Sequence, residues 1–168
     1  MDRLRSLNPA DGSEVGSVPV TPIADLPRIL AAARLAQAGW RRLSPSERAE
    51  ILAPVGEALL ARADELGRLI SLEMGKPLRE ATGEVRGIAS GWREELAELA
   101  DAFTPDVLED AHTRSWVYHD PFGVCAAITP WNFPIGMPHS LVLPALMAGN
   151  AVLLKPSEET PLIAQAYA

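Results

Sequence analysis

Val124-Cys125-Ala126-Ala127-Ile128 and Ala151-Val152-Leu153-Leu154 are the two stretches on which the fold turns. Each is a short, continuously apolar run, as expected of a strand covered on both faces. Between them Pro138 to Ala148 is apolar enough for a packed helix, bent or begun by Pro144 and closed by Gly149-Asn150. The sequence therefore predicts a β-α-β unit, and the fold class is α/β. A right-handed crossover would make the two strands parallel and put their carboxyl ends on one edge of the sheet, where open α/β sheets bind ligands.

Just before the first of these runs, Ser115-Trp116-Val117-Tyr118-His119 is rich in β-formers and reads as an edge strand ahead of the turn Asp120-Pro121-Phe122-Gly123. Everything from Thr21 to Phe103 reads as helices. Thr21-Pro22 offers a cap and a first-turn proline for a helix running to about Gly39, with Ile29, Leu30, Ala33 and Ala36 on one face. Ser44-Pro45-Ser46-Glu47 is a capping box leading into Ile51, Leu52, Val55, Leu59 and Leu60. Pro54 lacks the N–H of a helix interior, so a kink or break is expected nearby. Leu66, Leu69, Ile70 and Met74 form a stripe ended by Gly75 and Pro77. A last long helix runs from about Leu78 to Phe103, with Gly83, Gly87 and Gly91 expected to permit close packing. At the amino end, Leu4 to Val20 around Asn8-Pro9-Ala10-Asp11-Gly12 predicts a β-hairpin.

The composition narrows the function. The 168 residues are 48% hydrophobic and 22% charged, with a formal charge of −7. That is the profile of a soluble globular chain with enough length for a sizeable core. Net negative charge without a basic block argues against nucleic acid or an anionic membrane as partner. The opening residues lack a signal-peptide run, and Leu141 to Leu154 is too short and broken to span a bilayer. One cysteine, Cys125, allows no internal disulfide, no Cys or His pair stands at zinc spacing, and a reducing cytoplasm is the natural setting.

Two loops carry distinctive polar residues. In Thr129-Pro130-Trp131-Asn132-Phe133-Pro134 two prolines fix the backbone around one amide, which suits either a donor aimed at developing oxyanion charge or a rigid aromatic turn. In Lys155-Pro156-Ser157-Glu158 a cation and a carboxylate three residues apart suit either a grip on a sugar diol or a solvated connector to a helix capped by Thr160-Pro161. Cys125 sits within an apolar strand with no basic sequence neighbour, the setting of a core thiol and not of a nucleophile. His112, His119 and His139 read as surface or edge residues, and Trp40 and Trp92 as packing residues.

Taken together, Asn8-Pro-Ala-Asp-Gly, Ser44-Pro-Ser-Glu-Arg-Ala, Leu72-Glu-Met-Gly-Lys-Pro-Leu, Gly123-Val-Cys-Ala-Ala-Ile-Thr-Pro-Trp-Asn-Phe-Pro, Pro144-Ala-Leu-Met-Ala-Gly-Asn and Leu154-Lys-Pro-Ser-Glu resemble the aldehyde dehydrogenase superfamily in order and approximate spacing. Thr-Pro-Trp-Asn-Phe-Pro and Lys-Pro-Ser-Glu are the specific pieces; Met-Gly-Lys-Pro alone fits any helix end with a glycine stop. The resemblance implies an oxidoreductase converting an aldehyde to a carboxylic acid with NAD, NADP being admitted, through a cysteine thioester. It implies that Asn132 donates to the oxygen of the tetrahedral intermediate and that Ile128, Thr129, Pro130 and Trp131 line the dinucleotide groove. It makes Lys155, Pro156, Ser157 and Glu158 cofactor-binding, with the adenosine ribose hydroxyls on Lys155 and Glu158 and with Glu158 disfavouring a 2′-phosphate. It also implies homo-oligomerisation through a strand at about 113–121.

By the same resemblance, residues 1–168 form an incomplete amino-terminal part of the NAD-binding domain. The catalytic thiol, the general base and the loop beneath the pyrophosphate would lie farther along, in a catalytic domain absent here, and the isolated chain is expected to be inactive. A truncated, non-catalytic nucleotide-binding or subunit-interaction module is the alternative, and acyl-phosphate or acyl-CoA reduction is not distinguished by these residues.

Overall fold

The computed structural model describes residues 2–168. Strands β1 (Arg3–Leu7) and β2 (Glu14–Pro19) pair antiparallel as the expected hairpin. Its turn closes where the Gly12 N–H donates to the Asn8 carbonyl at 2.8 Å, with Gly12 at φ +72°, a left-handed conformation that glycine adopts without strain.

Helix α1 spans Leu26–Trp40 and begins later than Thr21-Pro22 suggests; a 3-10 turn, Ile23–Asp25, fills the gap. The reason is Pro27. A proline five residues into a helix that began at Pro22 would remove an N–H and crowd the carbonyl of Ile23, so it occupies the first turn instead. Helix α2 (Pro45–Ala61) starts at the Ser44 capping box, complete with both reciprocal hydrogen bonds. It runs unbroken through Pro54, which lies on the exposed face, as does Glu50, whose carbonyl loses its helical partner to solvent. The break comes at Arg62, before α3 (Ala63–Met74), which stops at left-handed Gly75. Helix α4 covers Leu78–Ala102.

The packing role given to Gly83, Gly87 and Gly91 is overturned: a Cβ at any of them would meet open space. Close approach occurs on the facing helix, where a Cβ at Gly56 would lie 2.7 Å from the Trp92 side chain. The glycines of α4 face open space, and Gly56 on the facing helix admits the bulky ring. Leu59, Leu66, Ile70, Val85, Trp92 and Leu96 from α2, α3 and α4 make one core with four residues of the later segment, Ile135, Leu143, Met147 and Ile163.

Beyond α4, β3 (Asp106–Glu109) and β4 (Arg114–Val117) form a separate antiparallel hairpin, exposed along its whole length. The expected edge strand is thus β4, ending at Val117, and its partner is the immediately preceding segment, β3; with only Val107 and Leu108 as apolar residues, β3 is too short a run to read in advance.

Strands β5 (Val124–Ile128) and β6 (Ala151–Lys155) pair in parallel, register Val124↔Ala151 to Ile128↔Lys155, around helix α5 (Gly136–Met147). Helix α5 starts two residues before Pro138, and Pro144 lies inside it. Coverage on both faces is not what the described residues provide: α1 and α5 pack against the pair, yet Ile128 remains 71% exposed and Ala126 is exposed. The short helix α6 (Pro161–Tyr167) follows. Among the described residues, no helix is long and apolar enough to cross a membrane.

Candidate functional site

The parallel register decides what stands together. Ile128 and Lys155 are direct partners at the carboxyl ends of β5 and β6, so their side chains leave the same face of the sheet. One step farther, the Thr129 N–H donates to the Lys155 carbonyl at 3.1 Å. The Thr129–Pro134 and Lys155–Glu158 loops consequently spring from adjacent points on one edge.

In the first loop Pro130, Trp131 and Asn132 are exposed, while Thr129 is buried and Pro134 fully so. No side-chain hydrogen bond ties up the Asn132 amide among the described residues; its backbone carbonyl accepts from Lys76 Nζ at 2.9 Å. Lys76 lies between α3 and α4, 2.5 Å from Glu84 Oε2 and 4.3 Å from the centre of the Phe133 ring. The other Glu84 oxygen accepts from the N–H groups of Ile135 (3.3 Å) and Gly136 (2.9 Å), which open α5. Sequence reasoning missed both residues. The available signal was Lys76 within Met74-Gly-Lys-Pro, but the loop that Lys76 and Glu84 hold lies about 50 positions farther along the chain.

The far end of α5 is held with equal care. Its last carbonyls accept from Trp40 Nε1 (to Leu146, 2.7 Å) and from buried Arg48 Nε (to Met147, 2.9 Å), while Gln37 Nε2 donates to the Gly149 carbonyl at 3.0 Å. Asn150 then ties the start of β5 to α5, accepting from the Gly123 N–H and donating to the Ala145 carbonyl.

In the second loop Lys155 and Glu158 are exposed and paired at 3.1 Å, Pro156 is half-buried, and Ser157 is buried. The N–H of Glu158 itself, and then Lys155, hold the Glu158 carboxyl below the usual carboxylate range. Where the loop enters α6, buried Glu73 accepts from the Leu162 and Ile163 N–H groups at 2.9 and 2.7 Å. Burial is the dominant influence on Glu73 and raises its pKa against those hydrogen bonds.

Cys125 is half-buried in mid-strand opposite Val152, away from the loop edge. His112 and His119 are exposed, as read from the sequence, but His139 is not a surface residue. It is buried with Nε2 2.7 Å from Glu95 Oε2 and its ring 5.0 Å from that of Trp92, because it continues the inward stripe of Leu143 and Met147 on α5. Trp92 and Trp40 pack as expected, the indole of Trp92 donating to the Leu52 carbonyl.

The sequence model of the aldehyde dehydrogenase family matches residues 1–168. Among curated proteins, the chain is 43% identical to 3,6-anhydro-alpha-L-galactose dehydrogenase of Streptomyces coelicolor, over 96% of this chain and 33% of that protein. It is 41% identical to the Escherichia coli succinate-semialdehyde dehydrogenase [NADP(+)], over 96% of this chain and 34% of that one. Among solved structures, the NADP-dependent glyceraldehyde-3-phosphate dehydrogenase of Bacillus halodurans in complex with NADP superimposes with a TM-score of 0.90 at 28% identity, covering 99% of this chain and 36% of its own. The chain spans about a third of the length of the curated relatives it matches. With the family pattern running through every element from the first hairpin to α6, this chain belongs to the aldehyde dehydrogenase family.

Proposed function

We propose that the full-length protein containing this chain oxidises an aldehyde to a carboxylic acid with NAD or NADP as acceptor, and that residues 1–168 form the amino-terminal part of its dinucleotide-binding domain. The observation that carries this reading is the in-register parallel pair, which sets the Asn132 loop and the Lys155–Glu158 loop on one sheet edge. The residues there suit a dinucleotide. Exposed Ile128 and Trp131 offer apolar surface, and the Lys155–Glu158 pair offers a donor and an acceptor for a ribose diol. The buried side chains of Thr129 and Ser157 shape the two loops from beneath.

When bound, the dinucleotide supplies the hydride acceptor. Lys155 and Glu158 would hold its adenosine ribose, Pro156 shaping their loop, while Ile128, Pro130 and Trp131 line the groove. Asn132 would donate its free side-chain amide to the oxygen that gains negative charge when a cysteine outside this chain attacks the aldehyde. The exposed β3–β4 hairpin, with Trp116 and Tyr118 half or more uncovered, supports assembly of like subunits. Free Cys125 supports a reducing compartment such as the cytoplasm.

The test is aldehyde-dependent formation of reduced cofactor by the full-length protein, alongside the 168-residue chain alone. Activity in the former and none in the latter is expected, and Cys125→Ala should leave the full-length rate intact. A nucleophile-sized loss in folded Cys125→Ala protein would put the thiol chemistry in β5 and overturn this assignment.

A further inference from the structure

We propose that Lys76 and Glu84 are positioning residues for Asn132, fixing the peptide that follows it so that its amide keeps one aim while charge develops on the substrate oxygen. This rests on the reading of Asn132 as an oxyanion donor. The prolines of the loop do not accomplish it. Pro130 and Pro134 fix their own φ and restrict Thr129 and Phe133 before them, leaving the Asn132 backbone unconstrained between.

Lys76 reaches into that gap. Its ammonium donates to the Asn132 carbonyl, pairs with Glu84 and lies over the Phe133 ring, thereby setting the orientation of the Asn132–Phe133 peptide. Glu84 anchors the other side through the N–H groups of Ile135 and Gly136. Two side chains thus bracket residues 132 to 136, and both are almost withdrawn from solvent, at 11% and 8% exposure. The chemistry favours lysine here. A compact ammonium satisfies a carboxylate, a carbonyl and a ring face in three directions, whereas the planar fork of arginine pairs bidentately with the carboxylate and turns from the carbonyl.

The test is a double-substitution cycle in the full-length protein. Hydride transfer is followed by stopped flow at saturating cofactor and aldehyde, with succinate semialdehyde, glutarate semialdehyde and phenylacetaldehyde as probes. Lys76→Met should lower the rate roughly ten- to a hundredfold, the scale of a displaced catalytic group, with cofactor Kd unchanged within about twofold. In the Asn132→Ala background the same substitution should cost no more than about twofold, because its target has gone. Should Lys76→Met fail to fold, Lys76→Arg, which retains the charge Glu84 requires, is put through the same cycle with the same expectation. An equal loss in both backgrounds would make Lys76 a general fold contact, and an unaltered rate in the single variant would leave it without a role; either result overturns the inference alone. If the unsubstituted protein reduces no cofactor with any of the probes, or if Asn132→Ala leaves an active enzyme unaffected, the underlying reading falls as well.

Discussion

Two lysine–glutamate pairs adjoin the loops that follow neighbouring strands β5 and β6, and they are opposites. Lys76 and Glu84 meet at 2.5 Å beneath the first loop with 11% and 8% of their side-chain surface exposed; Lys155 and Glu158 meet at 3.1 Å on the second with 62% and 65% exposed. Burial changes what such a pair does. A buried pair gains little net stability over apolar packing but punishes the loss of either partner, so it fixes geometry. An exposed pair is screened and worth at most about 1 kcal/mol, so a ligand displaces it at small cost. The Asn132 loop is accordingly built to stay still and the Lys155 loop to exchange partners.

The contrast is sharpest where Glu84 is removed. Glu84→Ala strands the Lys76 ammonium and two helix N–H groups, and should weaken the local structure by about 3–5 kcal/mol. Native-state hydrogen exchange at the Ile135 and Gly136 amides of the full-length protein reads this directly; unchanged protection there would dissolve the distinction between the loops. Asn132→Ala comes next, with a hundred- to thousandfold fall in the chemical step, about 2.7–4 kcal/mol, and little change in cofactor affinity. Loss of cofactor binding with normal hydride transfer at saturation would make Asn132 a groove residue. Glu158→Ser should move the kcat/KM ratio for NADP over NAD upward by roughly 1–3 kcal/mol, as a charge-assisted bond to the ribose is lost and a repulsion is relieved. An unchanged ratio returns that loop to a solvated connector. Smallest of all, Lys155→Ala should alter stability by less than about 1 kcal/mol in urea unfolding, and a larger loss would mean that its pair is not free for a ligand.

Local signals in the sequence were legible because their physics is local. The turn around Gly12, the Ser44 capping box and the stop at Gly75 depend on residues within a few positions of one another, and each element of the β-α-β unit is marked by its own short apolar run. Errors arose where two such signals competed or a partner was distant. Pro22 and Pro27 both resemble a first-turn proline, and only the second is compatible with the helix that follows. The glycines of α4 carry no mark of which face they occupy, and the cavity for Trp92 belongs to Gly56 on another helix. His139 looked peripheral because its Glu95 and Trp92 partners lie on α4, more than 40 positions away. Of the site, the two loops were readable as loops and Asn132 as an aimed amide, whereas the lysine and glutamate beneath it acquire meaning only once α4 and α5 are docked.

The clamps on α5 also set an order of events. Its amino end is capped from a residue 51 or 52 positions away, and its carboxyl end by side chains 99 to 112 positions removed. Closing loops of that size costs entropy before any contact repays it, so pairing across them is slow compared with forming the local α2–α4 hairpins. Helices α1, α2 and α4 must therefore be in place before the β-α-β unit can lock. On a ribosome, which releases the chain from its amino end, the scaffold is complete just as the segment it templates emerges.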